Sequence, residues 1–186
     1  MRTNSFYYFS WLTIGIYWMH LSASLAQTNA SAEAWINELQ LGMPLEPLKP
    51  SVYLITGKEQ VYRNNPWLAQ SYLRNLDRGI LEAIYEGTTA NYLNGRKASD
   101  TKLHFFNEQV YKIRWTFERK DLGNPKTHLE DFKAYFIKKY GNPTQEISGD
   151  TFIWEKAGQR MQLFADHESL QVELRDNEIE KKLKSL

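Results

Sequence analysis

The sequence contains no cysteine. Disulfide bonds, thiol nucleophiles and thiolate metal sites are therefore excluded, and so is a lipid-modified cysteine at a mature N-terminus. The chain also has only four histidines in 186 residues, and it lacks the G-x-S-x-G segment that presents a catalytic serine in many hydrolases. These shortages leave few of the residue combinations that catalysis uses. We therefore expect a protein that is not an enzyme and that binds no metal or other cofactor.

An excess of charge of either sign is also missing. The chain has 23 Lys and Arg against 22 Asp and Glu, which gives a formal net charge of +1. Arg2 is the only charged residue among the first 26, so the remainder is formally neutral. Proteins that bind nucleic acid or an anionic membrane surface usually carry a concentrated basic excess. We expect neither of these partners.

The N-terminal 26 residues have the composition of an export signal. Arg2 precedes an apolar stretch over residues 6–19, and residues 24–26 (Ser-Leu-Ala) supply the small side chains that a signal peptidase accepts. We expect residues 1–26 to be removed as a signal peptide and residues 27–32 to form a flexible leader. The mature protein would then be periplasmic or secreted, without a membrane span. The alternative is an uncleaved anchor, because the apolar stretch is nearly long enough to cross a bilayer.

Alternating side chains in the second half of the chain predict antiparallel strands. A short polar turn joins residues 103–106 to a second alternating segment that ends at residue 117, which is typical of a β-hairpin. The second strand of this hairpin is expected to direct four side chains into the core: Tyr111, Ile113, Trp115 and Phe117. Further strands are predicted over residues 80–86, 151–156, 160–166 and 170–175.

Capping signals predict helices around these strands. Thr127 and Glu130 have the spacing of a capping box, which predicts a helix over residues 127–140. An Asn-Pro start predicts a helix over residues 66–78, and Asp176 is the expected cap of a closing helix.

These elements predict a single α+β domain over residues 33–186. Its expected fold class is a two-layer arrangement, in which an antiparallel sheet of about five to six strands has helices packed on one face. Prolines at positions 44, 47 and 50 favour an extended connection. Residues 87–100 are expected to be a loop with a turn at Asn94-Gly95.

One segment resembles a known family. Leu41-Gly42-Met43 with Leu45 and Leu48, followed by the aromatic hairpin, is similar to the small outer-membrane assembly lipoproteins of bacteria, whose helix-plus-sheet architecture is shared by β-lactamase-inhibitor proteins. The resemblance implies an envelope setting and binding to protein or peptidoglycan, with no catalytic residues to transfer. The chain departs from this family at Pro47, which would lie inside the family's helix, and in having no cysteine to lipidate.

Two aromatic side chains are candidates for a binding surface. Phe106 and Phe164 are expected on the outer face of the sheet, because their neighbours Phe105 and Leu163 occupy the inner face. The alternative is that the helix over residues 66–78 covers them as a second apolar layer. The tetrapeptide Asp-His-Glu-Ser over residues 166–169 has the residue types of a hydrolase site, but consecutive turn residues do not easily converge on one substrate.

The sequence as a whole predicts an exported, non-enzymatic binding or scaffold protein of a bacterial cell envelope. Its expected partner is a protein or another envelope component. The alternative is an inhibitor or immunity-type protein directed at a secreted enzyme.

We predict that export removes the N-terminus directly after Ala26, because small residues at positions 24 and 26 follow an apolar core of suitable length. Mass spectrometry of the exported protein should give Gln27 as its first residue. Recovery of membrane-embedded protein that still begins with Met1 would instead support the anchor.

Overall fold

A computed structural model describes residues 39–55, 73–88 and 90–185. This part of the chain contains the strands β1 (Val52–Leu54), β2 (Ile80–Tyr85), β3 (Tyr92–Leu93), β4 (Arg96–Lys97), β5 (Asp100–Phe106), β6 (Gln109–Glu118), β7 (Gln145–Ile147), β8 (Thr151–Lys156), β9 (Gln159–Ala165) and β10 (Ser169–Asp176). Eight of them form one sheet in the order β1-β2-β5-β6-β10-β9-β8-β7, and every neighbouring pair is antiparallel. The other two, β3 and β4, pair only with each other.

Four α-helices with defined ends accompany the sheet in the described residues. They are α1 (Leu45–Leu48), which continues into a 3₁₀ turn (Lys49–Ser51), α2 (Arg119–Leu122), α3 (Pro125–Tyr140) and α4 (Asn177–Lys184). Residues 73–77 are also helical. Within the described ranges, no helix combines the length and the apolar composition that crossing a bilayer requires.

One face of the sheet packs against α3, and we call it the inner face. The Phe132 ring of α3 lies 5.0 Å from that of Phe117, and the Phe136 ring lies 5.7 Å from that of Trp154, measured between centroids. Trp115 is fully buried at the centre, and its indole Nε1 donates a hydrogen bond to the backbone oxygen of Ala90, 2.8 Å away. The two-stranded ribbon adds Leu93 to the same core. The indole Nε1 of Trp154 likewise donates to the backbone oxygen of Gly141, 2.9 Å away. An apolar interior whose two indole donors are both satisfied holds these elements together.

The opposite face, which we call the outer face, is polar and carries α4. Asp176 caps this helix as predicted, since its carboxylate accepts hydrogen bonds from the backbone nitrogens of Glu178 and Ile179. The chain then turns back across the sheet, so that Glu180 reaches Arg175 and Lys182 lies over Phe106.

The predicted fold class is therefore wrong. The sheet has eight strands where five to six were expected, and it is accompanied by a second, two-stranded sheet. Helices also lie on both faces rather than on one. The edge strands β1 and β7 were missed because three residues are too few to show an alternating pattern. The ribbon of β3 and β4 lies in a segment predicted to be loop, although its turn at Asn94-Gly95 was predicted correctly: both residues have positive φ, as a two-residue hairpin turn requires.

Two further local predictions need correction. The helix predicted to begin at Thr127 begins at Pro125, because Asn124 is the cap and proline suits the first helical position. The extended connection predicted over the prolines instead contains α1 and the 3₁₀ turn, since a single turn can hold proline where no helical N–H bond is needed.

Other predictions were confirmed or lie outside the described residues. The strands predicted over 80–86, 151–156, 160–166 and 170–175 are all present, with ends shifted by no more than one residue. The signal peptide, the leader and the start of the helix over 66–78 fall outside the residues that the structure describes.

We predict that replacing Trp115 or Phe136 with alanine lowers the free energy of unfolding by about 3 to 5 kcal/mol, because each side chain is fully buried in the inner core. Chemical denaturation of the mature protein would measure the change. Tyr92→Ala is the matched control, since this side chain is 46% exposed and its loss should cost much less. An unchanged midpoint for either core variant would contradict the assignment of the inner face.

Candidate functional site

A row of basic residues crosses the outer face of the sheet. His104, Lys112, Arg175 and Arg160 lie directly opposite one another on β5, β6, β10 and β9, and we call them the basic row. Glu82 on β2 and Glu155 on β8 continue the row at its two ends. Like charges placed opposite one another on neighbouring strands are destabilising. A sequence selected only for stability would not be expected to keep them, which makes this row a candidate site.

Carboxylates hold the arginines of this face in place. Oε2 of Glu173 accepts from both Nη2 and Nε of Arg114, at 2.6 and 2.9 Å, across the β6–β10 pair. Nη1 of Arg175 donates to Oε1 of Glu180, 3.0 Å away on α4, and lies 3.5 Å from Oε1 of Glu173. These charge-assisted contacts connect β6, β10 and α4. The positions of both guanidinium groups are therefore set before any partner binds.

Lys112, at the centre of the row, has no such carboxylate among the described residues. Lys102 pairs with Glu82 at 3.5 Å, and Arg160 lies 3.7 Å from Glu155. The ammonium of Lys112 instead lies 5.9 Å from the centroid of the Tyr111 ring, and the structure gives it no ion pair with a described residue. A second row lies beside the basic row on the same face, where Lys102, Arg114 and Glu173 are directly opposite one another on β5, β6 and β10. Lys112 is the cation of these two rows that has no carboxylate within 4.0 Å among the described residues.

A β-bulge adds an aromatic side chain beside this lysine. Phe105 pairs with Val110 and His104 pairs with Lys112, so Tyr111 has no opposite residue. Val110 takes the place in the inner core that alternation predicted for Tyr111, and the Tyr111 ring packs edge-on to His104, with 6.2 Å between centroids. Bulges often redirect a side chain at functional sites. The predicted core position of Tyr111 is therefore wrong.

Burial sets the protonation of these neighbours. It lowers the pKa of His104 to about 3, with Lys112, Arg114 and Lys102 adding to the effect, so the imidazole is neutral at pH 7. Burial raises the pKa of Tyr111 to about 12, and the nearby carboxylates of Glu180, Glu173 and Glu82 act in the same direction. Burial also lowers the pKa of Lys112, with Arg114 and Arg175 opposing its charge and Glu173 and Glu180 favouring it. Tyr111 therefore keeps its hydroxyl proton at neutral pH.

Several buried nitrogen atoms of the basic row lack a hydrogen-bond partner among the described residues. These atoms are Nε of Arg160, Nε of Arg175 and Nε2 of His104. Buried polar atoms are nearly always hydrogen-bonded in folded proteins, and an exception calls for an explanation such as a bound water or ion. The three atoms belong to the basic row, so buried groups without a hydrogen-bond partner lie on both sides of Lys112.

The two residues predicted to form an aromatic surface do lie on the outer face. Phe106 is half-buried under Lys182, whose Nζ is 5.4 Å from the ring centroid, and it lines an open depression of about 660 Å³ together with Leu76 and Gly79. Phe164, also half-buried, lies on β9 opposite Gln171. Three strand spacings and several residues of strand length separate the two rings, which is on the order of 20 Å. They do not form one patch.

The hydrolase-like tetrapeptide over residues 166–169 is a turn. Oδ1 of Asp166 accepts hydrogen bonds from the backbone nitrogens of Glu168 and Ser169, each at 2.7 Å, and these bonds lower the pKa of the carboxyl group. The His167 side chain is 82% exposed. The carboxylate is therefore used to close the turn.

A second concavity lies beside the ribbon of β3 and β4. It has a volume of about 490 Å³ and is lined in part by Arg96, Ser99 and Asp121. Oγ of Ser99 donates to Oδ2 of Asp121 at 2.6 Å and accepts from the backbone nitrogen of Glu118. None of the described residues that line the concavity is a histidine, and the serine is engaged in fixing α2 to β6. These hydrogen bonds give Ser99 and Asp121 a structural role, so their positions require no bound ligand.

Sequence reasoning missed the basic row. Alternation along the strands places Lys112, Arg114 and Arg175 on the face opposite the core, but it does not show that they meet. An unusual density of cations at alternating positions was the available signal, but which cations meet depends on how distant strands pair. Comparison of the chain with protein-family models, curated proteins and solved structures gave no match. The resemblance to outer-membrane assembly lipoproteins stays a prediction.

We predict that the neutral imidazole of His104 makes stability depend on pH. The folded pKa of about 3 lies below the ordinary value of 6.5, so the unfolded chain binds the proton first. The stabilisation is complete above about pH 6.5 and is lost as the pH falls towards 3. Between pH 7 and pH 5, the free energy of unfolding should fall by on the order of 2 kcal/mol more in the wild type than in His104→Gln. Parallel pH profiles of the two proteins would refute a neutral buried imidazole.

Proposed function

We propose that the protein is an exported, non-enzymatic binding protein of a bacterial cell envelope, and that it contacts its partner through the outer face of the sheet. The observation that carries this proposal is the half-buried Lys112, which lacks a carboxylate partner among the described residues while the arginines beside it are paired. The signal peptide predicted over residues 1–26 supports the envelope setting.

The outer face has the rigidity that a binding site needs. Its side chains project from β5, β6, β10 and β9, whose opposite face forms the inner core. Arg114 and Arg175 are each held by a carboxylate, so little side-chain freedom is lost when a partner binds. Preorganised groups on regular elements give affinity mainly by reducing this cost.

The protonation of the site favours binding over catalysis. An imidazole with a pKa of about 3 is a weak base at neutral pH, and His104 is the histidine of the basic row. Tyr111, with a pKa of about 12, keeps its proton and acts as a donor. A face rich in donors and poor in bases suits the recognition of an anionic partner.

An inhibitor or immunity-type protein is the second candidate within the same class of binding proteins. It would use the same outer face, with a secreted enzyme as partner. The identity of the partner, rather than the position of the site, separates the two.

We predict that Lys112→Glu abolishes capture of the partner. Tagged mature protein would be incubated with an envelope extract, and bound components would be identified by mass spectrometry. Lys126→Glu is the matched control, because this exposed lysine lies in the first turn of α3, where a carboxylate favours the helix. We expect the wild type and the control to capture the same component and Lys112→Glu to lose it.

Equal capture by Lys112→Glu, with its melting temperature unchanged, would place the partner site elsewhere and refute this proposal. A captured enzyme whose activity falls on addition of the protein would identify an inhibitor. A captured structural component would identify a scaffold or binding protein.

A further inference from the structure

The unpaired charge on the outer face points to the chemistry of the ligand. We infer that Lys112, Arg114 and Arg175 form a subsite for one oxyanion group, either a carboxylate or a phosphate. This inference rests on the proposed function and specifies what the outer face recognises.

Lys112 is the position at which this face can accept a negative group. Among the described residues, each of the other cations of the two rows has a carboxylate within 4.0 Å, and Lys112 has none. Lys112 lies directly opposite Arg175 and two residues along β6 from Arg114. An oxyanion beside its ammonium would offset the repulsion among these three charges, which the carboxylates of Glu173 and Glu180 offset only in part.

Donors around this position outnumber acceptors. The ammonium of Lys112 offers three donors, and each guanidinium has five N–H groups, of which only some are used by Glu173 and Glu180. Nε of Arg175 has no partner among the described residues. The Arg114 side chain is 37% exposed and that of Arg175 18% exposed, so a ligand from solvent can reach both. Oxygen atoms with lone pairs are what these groups require.

The same residues argue against a cationic or purely apolar ligand. Lysine and arginine carry no acceptor atoms, and the tyrosine beside them keeps its proton, since burial raises the pKa of Tyr111 to about 12. Burial also lowers the pKa of Lys112, and an anion beside the ammonium would raise that pKa by favouring the charged form. Binding and protonation of Lys112 therefore support each other.

The inference can be tested by titrating the full mature protein with two simple probes. Inorganic phosphate and acetate would be added separately at constant ionic strength, with sodium chloride as the reference salt, while backbone amide shifts are followed by NMR. We expect one of the two probes to produce saturable shifts at residues 110–114 and 173–175. The probe that saturates distinguishes a phosphate-bearing ligand from a carboxylate-bearing one.

Variants connect the binding to the named lysine. Lys112→Gln should weaken binding by about tenfold or more, the loss expected for one charge-assisted hydrogen bond, and Lys112→Arg should restore most of it. Lys126→Gln, at an exposed position on α3, should bind as the wild type does. The melting temperature of Lys112→Gln should not fall, because the substitution removes the repulsion between this lysine and Arg175 directly opposite it.

Three results would overturn the inference: no saturable shift with either probe, equal shifts with chloride, or unchanged affinity in Lys112→Gln. Each leaves the proposed function standing if Lys112→Glu still loses the captured partner, since the outer face would then recognise something other than an oxyanion. If the probes fail to bind and Lys112→Glu captures the partner as well as the wild type does, both the oxyanion subsite and the proposed function are refuted.

Discussion

The register between β6 and β10 is the constraint on which the rest of the molecule depends. Alternation along β6 sends Ile113, Trp115 and Phe117 to one face, so Lys112 and Arg114 must lie on the other. Pairing with β10 then brings Glu173 opposite Arg114 and Arg175 opposite Lys112. A shift of one residue would expose the core and bury the charges, so the hydrophobic face fixes the arrangement of the polar one.

The outer face combines arginines that are paired with carboxylates and one lysine that has no such partner among the described residues. Glu173 and Glu180 hold two arginines, while Lys112 between them has no carboxylate among the described residues. The bulge at Tyr111 places a protonated hydroxyl group and a buried ring next to Lys112. The missing carboxylate partner of Lys112 and the bulge each cost stability locally, and such costs are typically kept where a site is needed. The buried inner core supplies the stability that the face gives up.

Side-chain geometry distinguishes this face from the other candidate sites in the molecule. The tetrapeptide over residues 166–169 has the residue types of a catalytic site, but the Asp166 carboxylate accepts hydrogen bonds from the backbone of its own turn. Ser99 is likewise engaged with Asp121. Phe106 and Phe164 share the outer face but lie far apart on it. In each case the residue types are present, and the geometry decides whether they can act together.

Local signals in the sequence were enough to determine several elements by themselves. The strands of the last third follow from alternation, the closing helix from the cap at Asp176, and the tight turn from Asn94-Gly95, because each depends on residues close in the chain. Short signals were ambiguous where two caps competed, as at Asn124 and Thr127.

Only the tertiary structure decided the width of the sheet, the face that α4 covers and the identity of the charges that meet. Arg114 and Glu173 are 59 residues apart in the chain, and their contact exists only because β6 pairs with β10 rather than with another strand. The single-residue bulge that moves Tyr111 out of the core is equally invisible to a pattern of period two. Long-range pairing is a property of the whole chain, so no local pattern specifies it.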